Sequence, residues 1–120
     1  MTTHWRRVLA LAAVAGLTAC GSPAQCLNDL PASCPTPIPS YANSVSGIIN
    51  QSCVVGCHTA GGTAQDLLLN TYEQVYNWRS AVLNQAYACN MPPPGSSTPP
   101  LTAEERTQLF GWLVCGAPDN

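Results

Sequence analysis

The stretch T-A-E-E-R-T-Q-L-F-G-W-L-V-C-G-A-P, residues 102 to 118, predicts the best-defined helix of the chain. Thr102 and Glu105 form a capping box, in which each side chain satisfies a backbone N–H at the helix start. Glu104 and Glu105 place negative charge where the helix dipole favours it. The closing G-A-P ends the helix. Its apolar face is formed by Leu109, Phe110, Trp112 and Leu113. The chain is therefore expected to end on an amphipathic helix that packs against a core.

Two earlier helices are predicted by apolar residues at helical spacing. The first begins near Tyr41 and runs to about Ser52, and the second follows a capping box of Thr71 and Gln74. No strand pattern competes with them. The sequence therefore predicts an all-α fold of about three helices in one small domain, residues 41 to 120. A domain of about 80 residues buries little apolar surface, so we expect disulfides, a prosthetic group or both to stabilise it.

The N-terminus has the features of a bacterial export signal. Arg6 and Arg7 precede an apolar run over residues 8 to 17 that is too short to span a bilayer. The run ends in L-T-A-C-G around Cys20, which resembles the lipobox of bacterial lipoproteins. The resemblance implies a signal peptide at residues 1–19, lipid on the Cys20 sulfur, and an anchor in the outer membrane facing the periplasm. An ordinary secretory signal with a nearby cysteine is the alternative.

Residues 20 to 40 are rich in proline, which predicts a semi-rigid linker between the membrane and the domain. After the signal, the chain keeps two arginines and no lysine against its six acidic residues. An acidic chain has no basic patch to neutralise phosphate groups. Nucleic-acid binding is therefore excluded as a function.

Seven cysteines in a short exported chain indicate an oxidising compartment. Lipid on Cys20 leaves six of them. We expect Cys26 to pair with Cys34 inside the linker. We also expect Cys89 to pair with Cys115, which would join the loop after the second helix to the last helix. The remaining two are Cys53 and Cys57.

The stretch C-V-V-G-C-H that begins at Cys53 differs by one extra residue from the C-x-x-C-H signal of c-type haem attachment. Residues three and four apart share a helix face, so Cys53 and Cys57 could both reach the haem vinyl groups while His58 reaches the iron. Gly56 gives the backbone freedom to absorb the extra residue. Met91 is the only methionine after the signal and lies in a proline-rich loop, which makes it the candidate second iron ligand.

Together these features resemble a small class I cytochrome c domain of a bacterial envelope lipoprotein, over residues 41 to 120. The resemblance rests on a leading helix into C-V-V-G-C-H-T-A-G-G, the later M-P-P loop, and a last helix with W-L before G-A-P. It implies one covalent haem c on Cys53 and Cys57, with His58 and Met91 as iron ligands. The implied function is a membrane-anchored one-electron carrier for a redox partner protein. No nucleophile–base pair is visible, so we expect neither a small-molecule substrate nor enzymatic activity.

Two other interpretations use the same residues. The first is a haem-free lipoprotein stapled by disulfides, with Cys53 and Cys57 paired and His58 solvated, which acts as a binding or structural module. The second is a zinc knuckle of Cys53, Cys57, His58 and a later cysteine. Adjacent Cys57 and His58 are awkward ligands for one tetrahedral ion, which counts against the knuckle.

Overall fold

The computed structural model describes Cys26 and residues 28 to 120 of the chain. The predicted signal peptide and the predicted lipidation at Cys20 lie outside these residues. The described part contains three helical regions and no strand, which confirms the predicted all-α class. Within the same residues, no helix is both long enough and apolar enough to cross a membrane.

The first helix, α1 (residues 41 to 54), is built from three consecutive stretches. These are π-helical Tyr41–Val45, α-helical Ser46–Ile49 and π-helical Asn50–Val54. Ser40 caps the helix start, because its hydroxyl accepts a hydrogen bond from the Asn43 N–H at 3.2 Å. π-Helical turns are rare in proteins and often mark functional sites. The second of them contains Cys53.

The other two helices begin at the capping boxes that the sequence predicts. They are α2, Tyr72–Tyr87, and α3, Ala103–Val114. Thr71 and Gln74 exchange hydrogen bonds at the start of α2, with distances of 3.3 and 3.2 Å. Thr102 and Glu105 do the same at the start of α3, at 3.2 and 2.7 Å. Each box satisfies backbone N–H groups that would otherwise lack a partner in the first turn.

The apolar face of α3 forms the centre of the core, as the sequence predicts. Its buried side chains are Leu109, Phe110, Trp112 and Leu113. Trp112 also fixes the end of the chain, since its indole N–H donates to the Pro118 carbonyl at 2.8 Å. The rings of Tyr41 and Tyr72 pack around the indole, with centroids 5.3 and 6.4 Å away. α3 therefore connects α1, α2 and the C-terminal residues.

The residues before α1 are attached to the helical body by disulfides. Cys26 pairs with Cys89 and Cys34 pairs with Cys115, with Cα–Cα distances of 5.6 Å in both. The predicted pairs Cys26–Cys34 and Cys89–Cys115 are therefore wrong. Closing a short loop costs little entropy, and this favoured a local pair between Cys26 and Cys34 when only the sequence was considered. The fold instead lays the proline-rich segment along α3, where each of its cysteines meets a distant partner.

A glycine of α3 permits this close packing. A Cβ added at Gly111 would lie 3.3 Å from a ring carbon of Pro35 and from one of Pro39. Even an alanine here would need these proline rings to shift by a few tenths of an ångström, and a larger side chain would need more. The part of the predicted linker that the structure describes lies against α3 instead of extending away from it.

Arg106 holds the same segment through an ion pair. Its guanidinium donates to both carboxylate oxygens of Asp29, at 2.6 and 2.8 Å, and to the Ala86 carbonyl at 2.8 Å. The hydrogen bonds from Arg106 hold the pKa of Asp29 below its ordinary value. Arg106 is only 5 % exposed, and its guanidinium lies over the Phe110 ring at 4.6 Å. This buried cation joins the N-terminal segment, α2 and α3.

Candidate functional site

The C-V-V-G-C-H stretch leaves α1 through a tight turn. The Cys57 N–H donates to the Val54 carbonyl at 3.1 Å, and Gly56 has a φ of 76°. These are the features of a type II turn, whose third position requires a positive φ. The His58 N–H then donates to the Cys53 carbonyl at 3.0 Å. The three residues between the cysteines are thus accommodated by a turn that needs glycine at Gly56.

The loop after this turn fixes the His58 ring. Nδ1 of His58 lies 2.9 Å from the Leu67 carbonyl oxygen, and the His58 carbonyl accepts from the Leu69 N–H at 3.0 Å. Since a carbonyl only accepts hydrogen bonds, Nδ1 carries the proton and Nε2 of the neutral ring keeps its lone pair. The loop is tight, because a Cβ at Gly62 would lie 2.1 Å from the Cys57 carbonyl oxygen. His58 is therefore a fixed side chain with one ring nitrogen ready to accept a hydrogen bond.

An apolar cavity of about 110 Å³ lies between the end of α1, α2 and α3. Its apolar walls come from Leu67, Leu69, Ala81, Val82, Ala86, Leu101 and Leu109. His58 and Gln85 are the polar side chains of the lining, and the sulfurs belong to Cys53 and Met91. The cavity exists because α2 presents two small side chains, Ala81 and Ala86, where larger ones would fill the space.

A second, smaller space of about 60 Å³ adjoins this cavity on the side of the proline-rich loop. Cys53, His58 and Met91 line both spaces, and Cys57 lines only the second. Met91 lies at the surface, 36 % exposed, and its N–H donates to the Gln85 carbonyl at 3.2 Å. The four residues that the sequence singled out, Cys53, Cys57, His58 and Met91, therefore all line this second space.

The two cysteines that line this second space are free thiols, although the disulfide interpretation of the sequence expected them to be paired with each other. Burial, and then the neighbouring Cys57, raises the pKa of Cys53 to about 11. A thiol with that pKa is neutral near pH 7, and the neutral form is a weak nucleophile and a weak metal ligand. Cys53 therefore behaves as an apolar wall of the cavity.

The predicted function, a membrane-anchored monohaem c-type cytochrome that carries electrons, is overturned by two findings. Among the described residues, no group of three or more His, Cys, Asp or Glu side chains could hold a metal ion. Two disulfides staple the fold, so they supply the extra stabilisation for which the sequence also admitted a prosthetic group. These findings favour the alternative, a disulfide-stapled module. Covalent haem c on Cys53 and Cys57, with His58 and Met91 on iron, stays a prediction that an absorbance spectrum can test.

Sequence reasoning missed most of the cavity wall. Val82 and Ala86 could be assigned to an apolar helix face from the sequence. Nothing in the sequence shows whether such a face packs against other side chains or lines a cavity. Gln85 and Leu101 carried no signal at all. A cavity depends on which side chains face each other across the core, and the sequence does not give that pairing.

The chain was compared with known protein families, curated proteins and solved structures. No family model, no curated protein and no solved structure matches this chain.

Proposed function

We propose that the protein is a disulfide-stapled binding module that takes a small apolar molecule into the cavity beside Cys53 and His58. The observation that carries this proposal is a cavity of about 110 Å³ with almost entirely apolar walls inside a small stapled core. Apolar cavities accept non-polar guests, because such guests leave water and pack against the apolar walls. Binding sites for small molecules also combine apolar walls with few polar groups.

His58 supplies the polar group that would orient such a guest. Its Nδ1–H is committed to the Leu67 carbonyl, so its Nε2 is the atom left to accept a hydrogen bond. An apolar molecule with one hydroxyl or N–H donor fits this arrangement better than a pure hydrocarbon does. Phenol and benzene are therefore informative probes, and we expect phenol to bind more tightly.

The proposed place of action is the bacterial cell envelope, with a lipid anchor on Cys20. The lipobox-like sequence after an export signal supports it. The two disulfides support it as well, because such bonds persist in oxidising compartments. His58 is the only histidine after the signal, and Cys53 is a neutral thiol, which supports binding over catalysis.

Filling the cavity is expected to abolish binding of both probes. In Ala81→Leu, three added carbon atoms occupy the space that the guest needs. For the unmodified protein, a probe at ten to one hundred times its Kd is expected to raise the free energy of unfolding by roughly 1.5–3 kcal/mol. For Ala81→Leu the same probe is expected to leave this free energy unchanged. Thermal unfolding with and without each probe measures the difference.

The matched control is Ala103→Leu, which adds the same atoms at an exposed position in the first turn of α3. It is expected to keep the full response to both probes. If Ala81→Leu kept that response, the guest would not occupy the cavity. If the unmodified protein showed no response to either probe, the proposed function would be wrong.

A further inference from the structure

The Cys26–Cys89 disulfide determines where the N-terminal part of the chain meets the helical body. Cys89 follows the last turn of α2 and precedes Met91 by two positions. Since consecutive Cα atoms are 3.8 Å apart, Met91 lies within about 8 Å of Cys89. The chain therefore joins the body next to the Met91 edge of the cavity.

The predicted lipid site is close to this point along the chain. Cys20 precedes Cys26 by six positions, and six residues span at most about 20 Å. A free linker over residues 20 to 40, as the sequence predicts, would reach up to about 70 Å. The disulfide at Cys26 thus shortens the reach of the tether more than threefold.

Residues beyond Cys26 cannot lengthen the tether, because they are bound to the body as well. Asp29 is held by the Arg106 guanidinium, and Cys34 is bonded to Cys115. The attachment point is therefore fixed by a covalent bond and supported by an ion pair. A lipid on Cys20 must hold this side of the protein near the bilayer.

We propose that the face at the Cys26–Cys89 disulfide, which Met91 follows by two positions and Leu30 by four along their own stretches of chain, is held against the bilayer that carries the lipid on Cys20. This proposal uses the lipid anchor of the proposed function and does not depend on a guest in the cavity. The partner of the face is the lipid surface, because the tether is too short to admit a folded protein between them.

The chemistry of the face fits this partner. Leu30 and Met91 are two of the large apolar side chains that the fold leaves exposed, at 42 % and 36 %. The nearby guanidinium of Arg106 is paired with Asp29, so it is not available to anionic headgroups. Apolar contact and the anchor hold the face to the membrane, and attraction to anionic lipid contributes little. The Met91 edge of the cavity then lies beside a reservoir of apolar molecules.

Paramagnetic relaxation measures this orientation on the intact lipoprotein. The mature protein is bound through its lipid to nanodiscs of phosphatidylethanolamine and phosphatidylglycerol that contain a small fraction of gadolinium-chelating lipid. The amide signals of residues 28–30 and 88–91 are expected to broaden most. The start of α2 lies about 24 Å from its end along the helix axis, and its amides are expected to broaden least.

A matched control lengthens the tether without touching the fold. A flexible Gly/Ser insert of about 20 residues between Cys20 and Cys26 is expected to reduce the excess broadening at residues 28–30 and 88–91 at least twofold. Uniform broadening, strongest broadening at the start of α2, or a pattern that the insert leaves unchanged would overturn the proposal. A mass spectrum without lipid on Cys20 would overturn it too. Benzene and phenol binding is measured separately, so either proposal can fail while the other holds.

Discussion

Replacing Cys34 and Cys115 together by serine is expected to lower the free energy of unfolding by about 3–4 kcal/mol. The two cysteines are 81 positions apart, but the Cys26–Cys89 bridge shortens the loop that they close to roughly 35 residues. The entropy that a disulfide removes from the unfolded chain grows with the length of this loop. Small domains have a total stability of roughly 5–15 kcal/mol, so this variant should be only marginally folded. Urea denaturation followed by circular dichroism measures the change in stability.

Cys57→Ser is the control for this experiment, because Cys57 is a free thiol and is not among the buried residues. It removes a sulfur without opening a bridge, and we expect it to change the free energy of unfolding by less than about 1 kcal/mol. A similar small change in the Cys34/Cys115 variant would mean that the bridge adds no stability. The Cys34–Cys115 bridge would then not explain how so small a core is stabilised.

Arg106→Met is expected to lower the free energy of unfolding by about 3–5 kcal/mol. Methionine keeps much of the apolar length of the side chain, but it makes none of the hydrogen bonds to Asp29 and Ala86. The Asp29 carboxylate then stays partly buried without its cation, which is the costly way to break such a pair. Urea denaturation near pH 7 measures the loss.

The other arginine after the signal provides the control. Arg79 donates to the Tyr76 carbonyl at 2.7 Å and lies 4.0 Å above the Tyr76 ring. Both contacts are to a residue of the same helix, α2, so they join no other part of the fold. We expect Arg79→Met to cost less than about 1 kcal/mol. If both variants lost the same free energy of unfolding, the ion pair between Arg106 and Asp29 would not be the source of the loss.

The pH dependence of the Arg106→Met effect identifies its source. Because Arg106 lowers the pKa of Asp29 in the folded protein, the pair stabilises the fold above the ordinary pKa of 3.8. That stabilisation is lost as the pH falls through the lowered pKa of the folded state. The difference between the unmodified protein and the variant should therefore shrink on acidification below about pH 4. If the difference in free energy of unfolding were the same in strong acid, the Asp29 carboxylate would not be its source.

Local signals made the helices predictable. The capping boxes at Thr71 and Thr102 define the starts of α2 and α3, and the G-A-P sequence defines the end of the last helix. The disulfide partners were not predictable, because Cys26 and Cys34 meet residues 63 and 81 positions away. Such pairing depends on how the segment lies on α3, and Gly111 reveals that packing only once the fold is known.

Four residues of the candidate site were predictable, but most of the cavity wall and the role of the site were not. Cys53, Cys57, His58 and Met91 were selected from the sequence and all line one space. Their interpretation as the centre of an electron carrier relied partly on a core that seemed too small to be stable alone. Disulfides and a prosthetic group solve that problem equally well, and composition does not distinguish them. The burial of Cys53, which keeps its thiol neutral, was visible only in the structure.

In the mature protein we expect Cys53 and Cys57 to remain free thiols beside an apolar cavity that receives its guest reversibly. Intact mass, thiol alkylation and absorbance of the mature protein, exported by a host that attaches c-type haem, test it most directly. We expect a colourless protein with two disulfides, and two thiols that react with an alkylating agent after unfolding without reductant. A haem absorbance band that stays with the polypeptide through denaturing electrophoresis, with no reactive thiol at Cys53 or Cys57, would contradict it.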